Sequence, residues 1–183
     1  DFCLSRGLGD VYKRQDYRLN VHGDYSNKAG RPYSIWNFYY TIVSNVNYII
    51  ASENTMGGDP ELKNSVVGQA YAMRAFAYYY LIQLYQQTYK GHEDAPGVPL
   101  YTGATVAGSE GSPRGTVQGV YTQINSDIEK AIDLLGSISN KVQTHVSHID
   151  YYVANGIKAR ICLTQHDYAG CLLYTSPSPR DRQ

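Results

Sequence analysis

The chain has 183 residues, among them 19 Tyr, and its 16 Lys and Arg balance 16 Asp and Glu, so the formal net charge is zero. A neutral balance removes the electrostatic argument for binding nucleic acid or an anionic membrane face. No run of the sequence reaches the roughly 20 apolar residues that a membrane-spanning helix needs. The excess of Tyr, a large ring with a polar tip, is typical of wet grooves and interfaces.

The two ends of the chain can be encoded by the two strands of one DNA segment. Residues 5–15 (SRGLGDVYKRQ) and 171–181 (CLLYTSPSPRD) back-translate into reverse complements that are one base out of register. Both resemble translated transposase sequencing adaptor, although Ser-Pro-Ser-Pro-Arg alone is also typical of a disordered linker. We therefore predict non-native segments at residues 1–15 and 171–183. The segment between them, residues 16–170, carries 11 Lys and Arg against 13 Asp and Glu.

A first amphipathic helix is predicted from Ile35, after polar residues 16–32, which are typical of a loop. The apolar residues that follow recur at steps of four and three, so they share one stripe of a helix. These residues are Ile35, Tyr39, Ile42, Val46 and Ile49. The sequence NTMGG at residues 54–58 is predicted to end this helix.

The second predicted helix has a strong start signal. Asp59 is a good N-cap, Pro60 suits the first helical position, and Glu61 lies near the positive end of the helix dipole. Two rows of mostly apolar residues then run side by side. The first row is Val66, Ala70, Met73, Ala77, Tyr80 and Leu84, and the second is Val67, Tyr71, Arg74, Tyr78, Leu81 and Tyr85. A helix that is apolar on most of its circumference is usually central in its domain.

A long loop and two further helices complete the predicted elements. Residues 92–115 contain three Pro and five Gly, which excludes a regular helix. A loop of this length in a compact domain is often functional. A third helix is predicted from Thr116 to a stop at Gly136, and a fourth from about residue 149 to residue 166. No strand is predicted. Four main helices in two pairs predict an all-α fold of stacked helical hairpins, in which no pair buries its apolar face alone.

Catalytic and metal-binding patterns are weak. Glu129 and Asp133 stand four residues apart on one predicted helix face, which is more often typical of solvated carboxylates than of an acid–base pair. His145 and His148 have a spacing that can place two imidazoles on one metal ion, but no third ligand is evident, and a surface loop is the favoured interpretation. The sequence has no nucleophile motif and no phosphate-binding Gly-rich loop. We therefore predict no catalytic residue, no metal site and no cofactor.

Four aromatic residues lie in or beside polar segments, where an exposed ring can stack on the apolar face of a sugar. They are Tyr25, Tyr33, Trp36 and Tyr101. For each of them a packing role is the alternative interpretation. The Tyr residues of the second helix, by contrast, are expected mainly to pack, with hydroxyls that reach a rim or a partner.

Four motifs in order between residues 33 and 169 make the sequence resemble the SusD/RagB family, the starch-utilisation-type nutrient-binding lipoproteins. They are WNFYYTIVSNVN from Trp36, GQAYAMRAFAYYYL from Gly68 with GVPL from Gly97, VYTQINSDIEKAIDLL from Val120, and ARICL from Ala159 followed by HDY. The positions that match the family scaffold are Asn47, Ala70, Arg74, Ala75, Tyr79, Pro99, Asp127, Ala159 and Arg160. Gln69 stands where the family usually has Glu, so a neutral hydrogen bond is expected there in place of a salt bridge.

The resemblance implies a tetratricopeptide-like scaffold, of which the chain carries an incomplete domain without the anchoring N-terminus and the larger C-terminal part. It implies a protein that is lipid-anchored at the outer-membrane surface of Gram-negative bacteria and contacts the membrane only through that anchor. Such proteins form the lid of a TonB-dependent, SusC-like transporter and bind oligosaccharides or, in some members, peptides. They are not enzymes, and their ligand contacts vary, so the resemblance assigns scaffold positions only.

Two hypotheses for function stay open on the sequence. The first is part of a nutrient-binding, transporter-associated lipoprotein. The second is a helical-repeat adaptor that binds only protein, with its Tyr residues at the interface. In either case we predict that residues 16–170 alone leave an apolar helix face uncovered.

Overall fold

A computed structural model describes residues 30–174, except 107, 109 and 142–144, and the described side chains lie between residues 33 and 172. The chain divides into two compact units, Asp1–Tyr40 and Thr41–Gln183, and the division falls within the first helix. The described helices are α1 (Gly30–Ala51), α2 (Pro60–Tyr85), α3 (Val117–Gly136), α4 (Tyr151–Thr164) and α5 (Tyr168–Tyr174). Two short strands, β1 (Pro96–Pro99) and β2 (Arg114–Thr116), lie between α2 and α3. The prediction of a mostly helical, stacked-hairpin fold is confirmed.

The central helix, α2, starts at the predicted signal. The Asp59 carboxylate accepts a hydrogen bond from the Glu61 backbone N–H at 3.3 Å, and Pro60 occupies the first turn. Along most of its length α2 packs against α3. The two helices come so close at Gly68 that a Cβ added there would lie 2.9 Å from Leu135 Cγ. A residue larger than Gly at this position would push the helices apart.

The two predicted rows of α2 are buried to different extents. Most of the second row is enclosed, because Val67, Tyr71, Arg74, Tyr78 and Leu81 are all buried. The first row contains side chains that remain exposed, by 38% at Val66, 40% at Met73 and 55% at Leu84. The helix is therefore covered on less of its circumference than its composition predicts.

Helices α3 and α4 begin at capping residues. The Thr116 hydroxyl accepts from the Gly119 N–H at 3.0 Å, and the Asp150 carboxylate accepts from the Val153 N–H at 2.8 Å. The predicted apolar face of α3 is confirmed: Val120, Ile124, Ile128, Ala131 and Leu135 are all buried. At Tyr151–Thr164, α4 is shorter than predicted. The short helix α5 extends across the predicted boundary between residues 170 and 171.

The absence of strands was a wrong prediction. β1 and β2 form a two-stranded antiparallel sheet in which Pro96 pairs with Thr116 and Pro99 with Arg114, with an irregularity between these pairs. The strands approach closely at Gly97, where an added Cβ would lie 2.7 Å from the Thr116 carbonyl oxygen. Judged by neighbouring residues alone, Gly and Pro favour a loop. Here Gly97 instead allows two segments that are distant in sequence to approach closely. The sheet joins the two ends of residues 100–113, which we call the Tyr101 loop.

Candidate functional site

A buried polar network centred on Arg74 joins three helices within the second unit. The Arg74 guanidinium donates from Nε to Asp127 Oδ2 at 2.8 Å and from Nη2 to Asp127 Oδ1 at 2.6 Å. Nη1 donates to Asn47 Oδ1 at 2.8 Å. Arg74, Asp127 and Asn47 are all buried, so α2, α3 and the C-terminal half of α1 meet at one enclosed charge pair. The bidentate geometry and the additional hydrogen bonds compensate for the loss of water around both charges.

The outer side of this network holds the backbone of the Tyr101 loop. Arg74 Nη1 donates to the Thr102 carbonyl oxygen at 3.0 Å, and Asn47 Nδ2 donates to the Tyr101 carbonyl oxygen at 2.8 Å. The Tyr78 hydroxyl donates to the same Tyr101 carbonyl oxygen at 3.0 Å and accepts from the Tyr101 N–H at 2.7 Å. Both polar backbone groups of Tyr101 are therefore bonded to side chains of the helices.

Two further contacts fix the loop along its length. The Tyr48 hydroxyl donates to the Thr105 carbonyl oxygen at 2.6 Å. On the other side of the loop, the Ser112 N–H donates to the Tyr101 hydroxyl at 3.2 Å. Since the sheet already closes the base, the loop is held at its start, at Thr105 and near its end.

The electrostatics of the network favour the charged form of Arg74. Burial alone would lower the pKa of Arg74, but the hydrogen bonds and negative charge of Asp127 outweigh it, so the pKa of Arg74 is raised. Burial raises the pKa of the Tyr78 hydroxyl to about 12, while its bond to the Tyr101 backbone and the charge of Arg74 act in the opposite direction. The Tyr78 hydroxyl is thus protonated at neutral pH and able to donate to Tyr101.

A more exposed cluster lies beside this network. Lys130 Nζ donates to the Tyr71 hydroxyl at 2.7 Å and to Glu53 Oε2 at 3.0 Å, and it lies 4.3 Å from the centroid of the Tyr71 ring. The Arg74 guanidinium carbon lies 5.3 Å from the same centroid. Tyr71 therefore contacts two cations through its ring, and the hydrogen bonds raise the pKa of Lys130.

The candidate ligand contacts fall in different parts of the chain. Tyr25 lies outside the described residues. Tyr33 and Trp36 belong to the part of α1 in the first unit, where Tyr33 is 47% exposed and the half-buried Trp36 ring lies 4.7 Å from the Tyr40 ring, measured between centroids. Tyr101 belongs to the second unit and is half-buried at the start of its loop. The role of these aromatic residues in ligand binding stays a prediction.

Most of the remaining scaffold positions are buried. Ala70, Ala75, Tyr79 and Ala159 are buried, and Pro99 ends β1. Arg160 is exposed on α4, and its carbonyl oxygen accepts from the Tyr79 hydroxyl at 3.4 Å. The neutral hydrogen bond expected at Gln69 is present, because its side-chain amide donates to the Ser65 hydroxyl at 3.2 Å.

Sequence reasoning missed Tyr48. For the Tyr residues of the second helix, Tyr78 among them, it expected packing with a hydroxyl that reaches a rim or a partner, but it did not identify the loop backbone as that partner. The signal for Tyr78 was its place in the buried row of α2, where a Tyr hydroxyl needs a polar partner. His145 and His148 are both exposed, with ring centroids 5.3 Å apart. Among the residues that the structure describes, no group of three or more His, Cys, Asp or Glu side chains is placed to hold a metal ion. Within the same residues, no helix is long and apolar enough to cross a membrane.

Comparison with known proteins relates most of the chain to one family. Residues 7–163 match the SusD-like family, whose description is starch-binding and associating with outer membrane. Among curated proteins, the chain is 26% identical over 149 residues to SusD-like protein P38 of Formosa agariphila. The matched region covers 74% of this chain and 27% of that protein.

Solved structures share the fold. A SusD-like carbohydrate binding protein from Bacteroides vulgatus is similar with a TM-score of 0.76 and 27% identity, over 89% of this chain and 33% of that one. A SusD superfamily protein from Bacteroides fragilis is similar with a TM-score of 0.70 and 26% identity, over 82% of this chain and 35% of that one. The chain thus spans about a quarter to a third of the length of the relatives it matches.

Proposed function

The chain belongs to the SusD-like family of starch-binding proteins that associate with the outer membrane, and on this basis we propose that it forms part of an oligosaccharide-binding protein of the bacterial cell surface. The observation that carries the proposal is the family match over residues 7–163. The name of the related B. vulgatus protein, SusD-like carbohydrate binding protein, supports the same ligand class. In this proposal the protein binds its ligand and does not transform it.

The proposed ligand contacts are the aromatic residues beside polar segments. Aromatic rings bind sugars because the C–H face of a pyranose is apolar, while Tyr and Trp add a polar group at the ring edge. Tyr101 is supported as a contact by its anchoring, because both its backbone and its hydroxyl are held before any ligand arrives. Such preorganisation lowers the entropy cost of binding. Tyr25, Tyr33 and Trp36 complete the proposed set.

The proposed cellular setting follows from the family. We propose a lipid-anchored protein at the outer-membrane surface that acts as the lid of a TonB-dependent, SusC-like transporter and delivers its oligosaccharide to it. A transporter gene beside the parent gene, and its co-purification with the protein, are the expected observations. A parent gene without such a neighbour and a protein that purifies without a transporter would contradict this setting.

Isothermal titration calorimetry of the intact protein against a glycan panel tests the binding function. We expect binding of at least one oligosaccharide and its weakening by Tyr101→Ala, Tyr33→Ala or Trp36→Ala. Tyr152→Ala is a matched control, since Tyr152 is 61% exposed on α4 and is not a proposed contact. Failure to bind any glycan or peptide would refute the function.

A protein-binding adaptor is the second candidate, and one observation favours it. Four apolar side chains of α2, Leu62, Val66, Met73 and Leu84, are between 38% and 64% exposed. Apolar side chains left exposed on a helix are typical of a surface that another polypeptide covers. Binding of protein partners together with no binding to the glycan panel would favour this candidate over the first.

A further inference from the structure

A cleft of about 360 Å³ lies between α3 and α4, away from the Tyr101 loop, and polar side chains line it. From α3 come Asn125 and Glu129, from α4 comes Lys158, and from the turn after α4 come Gln165 and Asp167. Lys158 is only 6% exposed, so the cleft has a buried cation in its wall. Its volume lies near the lower end of the range of about 300–1,000 Å³ for small-molecule pockets.

The hydrogen bonds of the cleft order its walls without using all of their polar atoms. Lys158 Nζ donates to Glu129 Oε1 at 2.7 Å and to Asn125 Oδ1 at 2.9 Å, and Asn125 Nδ2 donates to Gln165 Oε1 at 2.8 Å. Within the described part of the chain, Gln165 Nε2 and Glu129 Oε2 have no hydrogen-bond partner. The cleft is therefore lined by a side chain with a free donor and a side chain with a free acceptor, each oriented by one hydrogen bond.

An aromatic side chain supplies the apolar part of the lining. Tyr89 lines the cleft, and its ring packs edge-on against the buried Tyr121 ring with 4.8 Å between centroids. The Tyr89 hydroxyl is hydrogen-bonded to the Gln118 side chain, so two contacts hold the ring in place. A half-buried ring fixed in this way is available for stacking.

The turn after α4 sets the position of Gln165 and Asp167. The Asp167 N–H donates to the Cys162 carbonyl oxygen at 2.9 Å and the His166 N–H to the Leu163 carbonyl oxygen at 3.1 Å, which is the Schellman pattern of helix ends. His166 has a φ of 61°, in the left-handed region that favours Gly. The chain thus adopts a strained conformation at the residue between two side chains of the cleft.

We propose that this cleft binds a single sugar residue. A sugar hydroxyl both donates and accepts, so neighbouring hydroxyls match the Gln165 amide nitrogen and the free Glu129 oxygen, while the Tyr89 ring matches the apolar face of the pyranose. The volume is that of a small ligand, so one sugar residue, such as one ring of maltose, is the proposed occupant. The inference rests on the proposed function only in its choice of a sugar as the ligand class.

Titration of the intact protein with maltose tests the inference. Gln165→Met removes the free donor at nearly constant volume, and Tyr89→Leu removes the ring. We expect each to weaken maltose binding roughly tenfold, because each removes one contact with the sugar. Gln87→Met, at an exposed Gln outside the cleft, is the matched control and should bind as the unmodified protein does. Thermal melts by circular dichroism check that each variant is folded.

The outcomes separate this inference from the proposed function. If Gln165→Met and Tyr89→Leu bind maltose normally while Trp36→Ala does not, the cleft inference is overturned and the proposed aromatic contacts stand. If the protein binds maltose through Gln165 but binds no oligosaccharide of the panel, the cleft is supported and the proposed function fails. Absence of any maltose binding overturns the cleft inference, and the oligosaccharide panel then decides the proposed function by itself.

Discussion

Two cations are buried in the second unit, and their surroundings differ. The side chains of Arg74 and its partner Asp127 are only 5% and 2% exposed, whereas the side chain of Lys158 is 8% exposed and that of its partner Glu129 is 57% exposed. The first pair is enclosed by three helices and a loop, and Gln123 also donates to its carboxylate at 2.9 Å. The second pair lines an open cleft, and among the described residues the other carboxylate oxygen of Glu129 has no hydrogen-bond partner.

The difference shows that burial of a cation does not by itself indicate its role. In the Arg74 network, every contact ends on another part of the chain, so the charge pair fastens segments that are far apart in sequence. At Lys158, the hydrogen-bonded side chains of Asn125 and Glu129 also reach solvent, so water or a ligand can replace these bonds. Changes to the closed pair should therefore affect stability, and changes to the open pair should mainly affect binding.

The largest effect is expected at the closed pair. Asp127→Ala leaves the buried Arg74 guanidinium without its carboxylate, and we expect a loss of about 3–5 kcal/mol in the free energy of unfolding. Asp133→Ala, at an exposed acid of the same helix, is the control and should change it by less than about 0.5 kcal/mol. Urea denaturation measures both. Equal losses for the two substitutions would contradict the prediction, because they would show that Asp127 stabilises the fold no more than a surface acid does.

A smaller loss is expected where the network meets the loop. Tyr78→Phe leaves the Tyr101 N–H without its acceptor, which should cost roughly 1–3 kcal/mol of unfolding free energy. Hydrogen exchange of the Tyr101 amide should become faster at the same time. Tyr152→Phe, which changes an exposed Tyr of α4, should alter neither quantity. Unchanged exchange at Tyr101 would show that Tyr78 does not hold the loop.

The same residue makes the closed network sensitive to alkali. The pKa of Tyr78 is raised to about 12 in the folded protein, against an ordinary value near 10. Above pH 10 the unfolded chain releases this proton before the folded one does, so stability should be full below pH 10 and fall as the pH rises toward 12. The fall should be smaller in Tyr78→Phe, and the remainder should reflect Tyr121, whose pKa is also raised by burial.

The open pair should respond weakly. Glu129→Gln keeps the shape of the side chain and leaves Asn125 as an acceptor for Lys158, so a loss of about 1 kcal/mol or less is expected. The reason is that solvent reaches Glu129 and already screens the pair. Chemical denaturation at low and high salt measures the effect. A loss as large as that of Asp127→Ala would mean that the two pairs do not differ in kind.

The smallest expected effect is a gain beside the open cleft. His166→Gly replaces a strained residue with one that tolerates a positive φ, which should stabilise the fold by about 0.5–1 kcal/mol. The loss of the stacking between His166 and Tyr168, whose ring centroids lie 5.9 Å apart, opposes this gain. A thermal melt measures the balance, and His166→Ala, which lacks the ring but keeps the strain, separates the two contributions. A destabilised His166→Gly would mean that the stacking outweighs the strain.

The sequence predicted those parts of the fold that depend on local signals. Asp59 caps α2 as predicted, Thr116 lies at the predicted start of α3, and the steps of three and four along α3 indicate its buried face. Contacts between distant residues were not predictable from local patterns. Gly97 meets the Thr116 carbonyl, and Arg74 meets an acid 53 residues away. Propensity describes each segment alone, whereas these pairings depend on how the segments pack.

The candidate site shows the same division. The family resemblance assigned Asn47, Arg74 and Asp127 to the scaffold. Only the structure shows that Asn47 holds the Tyr101 carbonyl and that Arg74, paired with Asp127, holds the Thr102 carbonyl. Lys158 was missed, although a Lys within the apolar face of α4 is a signal of a buried cation. The boundaries at residues 15 and 170 stay a prediction, which the nucleotide sequence of the gene tests.

The attachment of the Tyr101 loop has a consequence for protein engineering and for divergence among relatives. The loop is joined at its base by β1 and β2 and is tied to the helices at Tyr101, Thr102 and Thr105. The entropic cost of closing a loop rises only slowly with its length. The segment between Thr105 and Ser112 can therefore be lengthened or exchanged while these ties stay in place. This stretch is therefore a position for grafted peptides or randomised libraries, and a place where homologous chains can acquire new specificities without rebuilding their core.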